Sequence, residues 1–325
     1  MNPPRGLFYF DVHGHGEGIM DDLRRVPGAS LPDDVPLADL SAAGVKGLAL
    51  CVLGDPNTFL PIEADAYRVV LEQLEVAKKK AVEAKGVVVL DPAQLETAAS
   101  EGTLAFLLGI EGGDFLEGDL GRLDAVFGLG ARLLGLVHYS KNCLGSISFG
   151  WGGKTVPESE RTGLSEFGKS VVERANDLGM IIDLAHADDE TIRGALDRSA
   201  SPMICSHTGP RALQDFPRYI PDELIRRIAD AGGLIGLWTY FHDGKGVPDL
   251  RTFAEYAAYC ADLAGPGSIA IGSDFNGVPG NMAGYANIFD SPKVIQAFSD
   301  RGFSDREIAG MAGLNFLRYY KGLRI

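Results

Sequence analysis

The chain has 325 residues, with 30 basic and 44 acidic side chains and a formal charge of −14. That balance argues against nucleic acid as the main partner, because phosphate binding needs a positive field, and against docking on anionic lipid. Hydrophobic residues make up 46%, ample for a buried core, and no apolar stretch is long enough to span a bilayer.

In chain order, a short apolar run recurs, followed by a polar or Gly-rich turn and a helical stretch. The runs are LFYFDV (7–12), VKGLALCVL (45–53), LAFLLGI (104–110), RLLGLVH (132–138), MIIDLAH (180–186), PMICSH (202–207), LIGLWTY (234–240) and IAIGSD (269–274). Continuous apolar runs are expected of parallel strands covered on both faces, and their alternation with helices implies β/α crossovers. Helical spacing covers 63–83, 168–178 and 221–231, the last with Pro221 in its first turn. It also covers 305–320, with Ser304 as N-cap and a stripe of Ile308, Met311, Leu314 and Leu317.

Eight such units predict an α/β fold, a (β/α)8 TIM barrel, formed as one domain over residues 1–325. The glycine-rich 145–162 reads as a long loop after the fourth strand, on the side where a barrel keeps its active site. An open doubly wound sheet is disfavoured, since GHGEG (14–18) does not match GxGxxG. Cys51, Cys143, Cys205 and Cys260 form no CxxC pair, and Cys51 and Cys205 read as small core residues. The start of the chain carries no signal-peptide pattern, so a cytoplasmic protein is expected.

The chain has six histidines, and five lie at or just past predicted strand ends: His13, His15, His138, His186 and His207. Glu111 ends the third strand and Asp274 the eighth. A closed barrel brings all of these onto one rim. His242, in a polar loop with Asp243, reads as a surface residue. Imidazole and carboxylate suit a divalent metal of the zinc kind. His13 and His15 are two apart and point the same way on a strand. They make one open site; His186 and His207 make half of a second, and Glu111 can bridge both. Two metals roughly 3.5–4 Å apart can share a water, lower its pKa and stabilise its attack on a carbonyl. Asp274 is then the general base and acid. Asp11 and Asp183, acidic inside apolar strands, read as partners that orient histidines.

The chain also resembles the renal, or membrane, dipeptidase family of the amidohydrolase superfamily. The resemblance rests on IEGGD (110–114), LVHYSKN (136–142), GLSEFGKSVVERANDLGMIIDLAHADDET (163–191), PMICSHTGPRAL (202–213), PRYIPDELI (217–225) and IGSDFNGVP (271–279). It implies Glu111 as the carboxylate bridging two zinc ions, His13 as a ligand of the first, and His186 and His207 as ligands of the second. Asp274 is the implied acid/base, His138 the implied contact to the scissile carbonyl or oxyanion, and Arg218 the implied holder of the substrate carboxylate. Tyr240 falls near a substrate-contacting position. Three positions depart from the family pattern: His15 stands for aspartate, Asp114 for histidine and Asn276 for aspartate, the last two expected in outer or substrate-facing places.

The reading that follows is a zinc dipeptidase: a metal-bridging hydroxide attacks the peptide carbonyl of a small dipeptide, and Asp274 passes the proton to the leaving amine. The alternatives are another amidohydrolase reaction, on an N-acyl amino acid or a lactone, and a catalytically silent metal-binding homologue. A homodimer is a possibility that family habit suggests.

Overall fold

The computed structural model describes residues 7–19, 31–58 and 64–323. Eight strands follow one another around a parallel sheet: β1 (Tyr9–His15), β2 (Val45–Leu53), β3 (Ala105–Glu111), β4 (Leu133–Gly135), β5 (Ile181–Asp183), β6 (Ile204–Thr208), β7 (Leu234–Trp238) and β8 (Ile269–Gly272). Chain order and spatial order coincide, as right-handed β/α crossovers require. The sheet closes on itself just past β8. Gly14 bridges Phe275 in parallel, the His15 N–H donates to the Phe275 carbonyl at 2.8 Å, and the Asp274 N–H donates to the His13 carbonyl at 3.1 Å.

The helices are α1 (Ala66–Glu83), α2 (Pro92–Glu101), α3 (Gly121–Gly128), α4 (Glu166–Leu178), α5 (Asp189–Arg198), α6 (Asp222–Asp230), α7 (Leu250–Ala264), α8 (Ser291–Arg301), α9 (Asp305–Ala309) and α10 (Asn315–Gly322). Asp65, Asp91, Ser165, Asp188 and Asp249 accept backbone N–H groups at the starts of α1, α2, α4, α5 and α7. Each such cap satisfies a donor the helix leaves open, worth about 1 kcal/mol. In α6, Pro221 is the cap residue itself rather than part of the first turn.

Apolar side chains divide between two layers. Leu48, Leu50 and Val52 of β2 face the helices, while Ala49 and Cys51 face the barrel interior. Phe10, Val12, Leu107, Leu133, Ile181, Ile204, Leu234 and Ala270 fill that interior below the rim. Its floor is closed by α10, where Phe316 stacks on Phe10 with centroids 4.4 Å apart and planes 9° apart. Cys51 and Cys205 are buried as expected.

Three local features differ from the sequence expectations. The stretch 305–320 is not one helix. Ser304 and Glu307 form a capping box at its start, but a π-helical turn at Gly310–Leu314 divides α9 from α10. At Gly313 a Cβ would lie 2.4 Å from the Phe8 carbonyl oxygen, so only glycine lets this turn meet β1. The turn rotates the buried stripe: Leu314 is 44% exposed, and Phe316, Tyr319 and Tyr320 take the inner face. A two-residue strand, Val87–Val88, also pairs beside β3, and residues 149–155 of the long loop form a small antiparallel ribbon.

Candidate metal centre

β1 carries His13 and His15 on one inward face, their rings 5.3 Å apart. Glu111 is the last residue of β3, and His207 lies within β6. His138, His186 and Asp274 come later than the regular ladders, three, three and two residues past β4, β5 and β8. His186 and Asp274 have φ of +68° and +56°. Left-handed backbone costs a non-glycine residue about 1 kcal/mol or more and persists where surroundings over-determine it. Here it turns both side chains back over the barrel mouth.

These side chains converge. Around Glu111 Oε1 lie His186 Nε2 at 3.0 Å, His13 Nε2 at 3.4 Å and His207 Nε2 at 3.4 Å. Around Glu111 Oε2 lie His15 Nε2 and His138 Nε2, each at 3.5 Å. Asp274 Oδ1 is 3.2 Å from His15 Nε2 and 3.9 Å from His13 Nε2. Three overlapping groups can hold a metal: His13–His15–Asp274, His13–Glu111–His207 and Glu111–His138–His186. His13 Nε2, His15 Nε2, Glu111 Oε1 and Asp274 Oδ1 are buried with no hydrogen-bond partner. Buried polar atoms without partners are rare and costly. Four in one cluster, all imidazole nitrogen or carboxylate oxygen, fit a divalent cation.

The nitrogens facing away from the cluster are mostly tied. His15 Nδ1–H donates to the Cys51 carbonyl at 3.0 Å, and His138 Nδ1–H to Asp55 Oδ1 at 2.8 Å. Ser206 Oγ donates to Asp183 Oδ2 and lies 2.8 Å from His207 Nδ1 and 3.2 Å from His13 Nδ1. Since its one proton goes to Asp183, both rings present Nδ1–H to it, which leaves their Nε2 lone pairs toward Glu111. Asp183 thus orients two histidines, as expected, but through a serine. Asp11 differs: it accepts the backbone N–H groups of His13 and Ser273 and the Ser273 hydroxyl, fixing main chain rather than a ring.

Electrostatics sort the groups. Burial opposes a charge on Glu111, yet His138 and His13 beside it hold it well below the usual carboxylate range. Burial pushes His186 and His207 well down, with Arg218 adding to the first and His13 to the second. Both are therefore neutral rings with lone pairs to offer. Burial also opposes charge on His138, but Asp55 and Glu111 outweigh it and raise its pKa.

Arg218, from the loop after β6, is 4% exposed, and its Nε and Nη2 have no partner. Its guanidinium lies over the Trp238 ring, 4.8 Å from the centroid. Tyr240, half-buried past β7, stacks on Trp238 at 4.3 Å. His242 stays outside, exposed and 3.6 Å from Asp243, as the sequence suggested. Asp114 turns from the cluster and accepts hydrogen bonds from Ser140 and Asn142. Asn276 clamps main chain, donating to the His15 and Val35 carbonyls and accepting the Val35 N–H. A carboxylate there could not donate, so an amide suits the place.

Sequence reasoning missed Asp55, Ser206 and Trp238. Each had a signal. Asp55 follows β2, the one early strand given no rim residue; Ser206 adjoins a ligand candidate; Trp238 is two residues before Tyr240 in the same apolar run.

A closed parallel barrel with a histidine–carboxylate cluster at its C-terminal rim is the frame of a metal-dependent enzyme. The sequence model of membrane dipeptidase, peptidase family M19, matches residues 28–323, and the chain belongs to that family. It is accordingly a metal-dependent dipeptidase, a peptide-bond hydrolase. Solved structures share its fold. The probable dipeptidase PvdM from Pseudomonas aeruginosa is 21% identical, with a TM-score of 0.82 over 98% of this chain and 95% of that one. A metallo peptidase from Rhodobacter sphaeroides, solved with a phosphinate mimic of the dipeptide L-Ala-D-Ala, is 20% identical, with a TM-score of 0.82 over 98% and 99%. A 5-carboxyvanillate decarboxylase from Sphingomonas paucimobilis has the same barrel at 12% identity, with a TM-score of 0.51 over 97% and 99%. Among the described residues, no helix is long and apolar enough to cross a membrane.

Proposed function

We propose that the protein hydrolyses small dipeptides with a free C-terminal carboxylate, using two zinc ions. The observation that carries this is the pairing of two unsatisfied sets. Four orphaned acceptor atoms face one another at Glu111, His13, His15 and Asp274, and a buried guanidinium with free N–H groups stands on the same rim.

In this reading His13 and His15 would hold one ion and His186 and His207 the other, with Glu111 available to both. His15 in place of the family's aspartate would leave the first ion with one less negative ligand. When bound, the ions would acidify a shared water and draw charge from the scissile carbonyl.

The chain's own groups do the rest. Arg218 grips the terminal carboxylate, which a planar guanidinium does in bidentate fashion. Tyr240 forms part of the wall beside it. His138, whose pKa Asp55 and Glu111 raise against its burial, donates Nε2–H to the oxygen that becomes negative as the carbonyl turns tetrahedral. Asp274 Oδ1 takes the proton from the attacking water and delivers it to the leaving nitrogen, which departs as a neutral amine.

The test is turnover by metal-loaded protein on a panel of L-L and L-D dipeptides. No turnover of any, with both metals present, would sink the reading. Bound metal falling from two per chain to about one in His15→Ala would support the ligand division.

A further inference from the structure

Arg218 presents an unusual arrangement for a buried cation. Such a group normally rests against an acid. Among the described residues none is paired with it, and its Nε and Nη2 lack acceptors. Its seat is aromatic. The guanidinium carbon lies 4.8 Å from the centroid of Trp238. That ring is itself fixed on several sides. It is parallel to Tyr240 at 4.3 Å and 15°, parallel to Phe216 at 6.3 Å and 6°, and packed edgewise on His207 at 5.5 Å and 66°. Its indole Nε1–H is a third buried donor without an acceptor.

We propose that Trp238 is the positioning residue for Arg218, carrying the guanidinium on its face and leaving the N–H groups free for a substrate carboxylate. The inference rests on Arg218 being the carboxylate anchor. An acidic partner would occupy the guanidinium fork and cancel its charge. An aromatic face attracts the cation through its quadrupole and uses no N–H. The same rigid ring touches His207, so it also fixes the spacing between anchor and metal cluster. A dipeptide's terminal carboxylate would then engage the free N–H groups, and its uncharged C-terminal amide would not.

The chain has two tryptophans, so Trp151→Phe leaves Trp238 as the sole indole fluorophore. In that metal-loaded background a dipeptide should change the emission, and its C-terminal amide should not. In the otherwise unaltered protein, Trp238→Leu should raise KM for the dipeptide about tenfold or more, with kcat within about threefold and bound metal unchanged. Trp238→Phe, which keeps an aromatic face, should recover most of that loss.

An unchanged KM in Trp238→Leu overturns the proposal. So does an equal weakening of dipeptide and amide, or a loss of kcat together with metal, which would make the ring mere support for His207. A large Arg218→Ala effect beside a silent Trp238→Leu rejects this inference alone; a silent Arg218→Ala rejects the anchor and the inference with it. The emission titration needs no change at position 238, so it decides the matter if Trp238→Leu does not fold. It also decides if no dipeptide is turned over: a carboxylate-dependent response supports the proposal and none overturns it.

Discussion

Asp55 Oδ1 accepts a hydrogen bond from His138 Nδ1 at 2.8 Å, with both side chains almost wholly buried. The bond fixes the ring's rotation, so Nε2 faces Glu111 and the barrel mouth. A carboxylate behind a histidine typically supports activity by about 10–100-fold. Asp55→Asn should therefore lower kcat by about that factor while bound metal stays constant. Steady-state kinetics beside metal analysis checks this, and an unaltered kcat would remove Asp55 from the reaction.

Ser206 is the joint between Asp183 and the rings of His13 and His207. Ser206→Ala removes the acceptor for two Nδ1–H groups and leaves Asp183 without the hydroxyl. Metal affinity should fall about tenfold or more, read by competition with a chelator, and the melting temperature should fall with it, because two buried Nδ1–H groups lose their acceptor.

Asp114 supplies a pH signature. Burial, with the charge of Asp55 beside it, pushes its pKa up to about 6, against hydrogen bonds from Asn142 and Ser140. The folded state therefore favours the protonated form. The stabilising contribution is complete below the unfolded value near 4 and is lost as pH rises through about 6. Up to about 3 kcal/mol is at stake. Asp114→Asn should flatten the fall in stability between pH 4 and 7 and raise the midpoint of urea unfolding at pH 8. An identical pH slope in wild type and variant would contradict it.

Gly277 backs directly onto the cluster. A Cβ there would stand 2.1 Å from Asp274 Oδ1 and 2.7 Å from His15 Cδ2. Gly277→Ala must displace Asp274 or His15, so kcat should drop about 100-fold or more, because misplacement of a reacting group by an ångström costs on that order. Circular dichroism should show an intact barrel, and activity near wild type would refute the crowding.

The sequence disclosed the barrel and most of its rim because both follow from short-range pattern. Apolar runs identify strands, and closure gathers strand ends however distant in sequence. His13, His15, Glu111, His186, His207 and Asp274 were found in this way, and the structure brings all six together. What stayed hidden depends on contacts across the barrel. Asp55 sits in LGDPNT, where an aspartate before proline reads as a turn residue. Nothing local says that the face of Trp238 meets a guanidinium. The division of α9 from α10 depends on Gly313 meeting the backbone of Phe8, while the spacing of Ile308, Met311, Leu314 and Leu317 continues as though no interruption existed.

The floor of the barrel carries a consequence for the order of assembly. Phe10 in the first strand is covered by Phe316 in the helix after the eighth, and β1 finds its second neighbour at Phe275. A ribosome therefore releases β1 long before either partner exists. Until then, the strand bearing His13 and His15 has one open edge and an uncovered ring, the kind of exposure that recruits chaperones. The strand that bears both histidines is therefore enclosed only once α10 has been made.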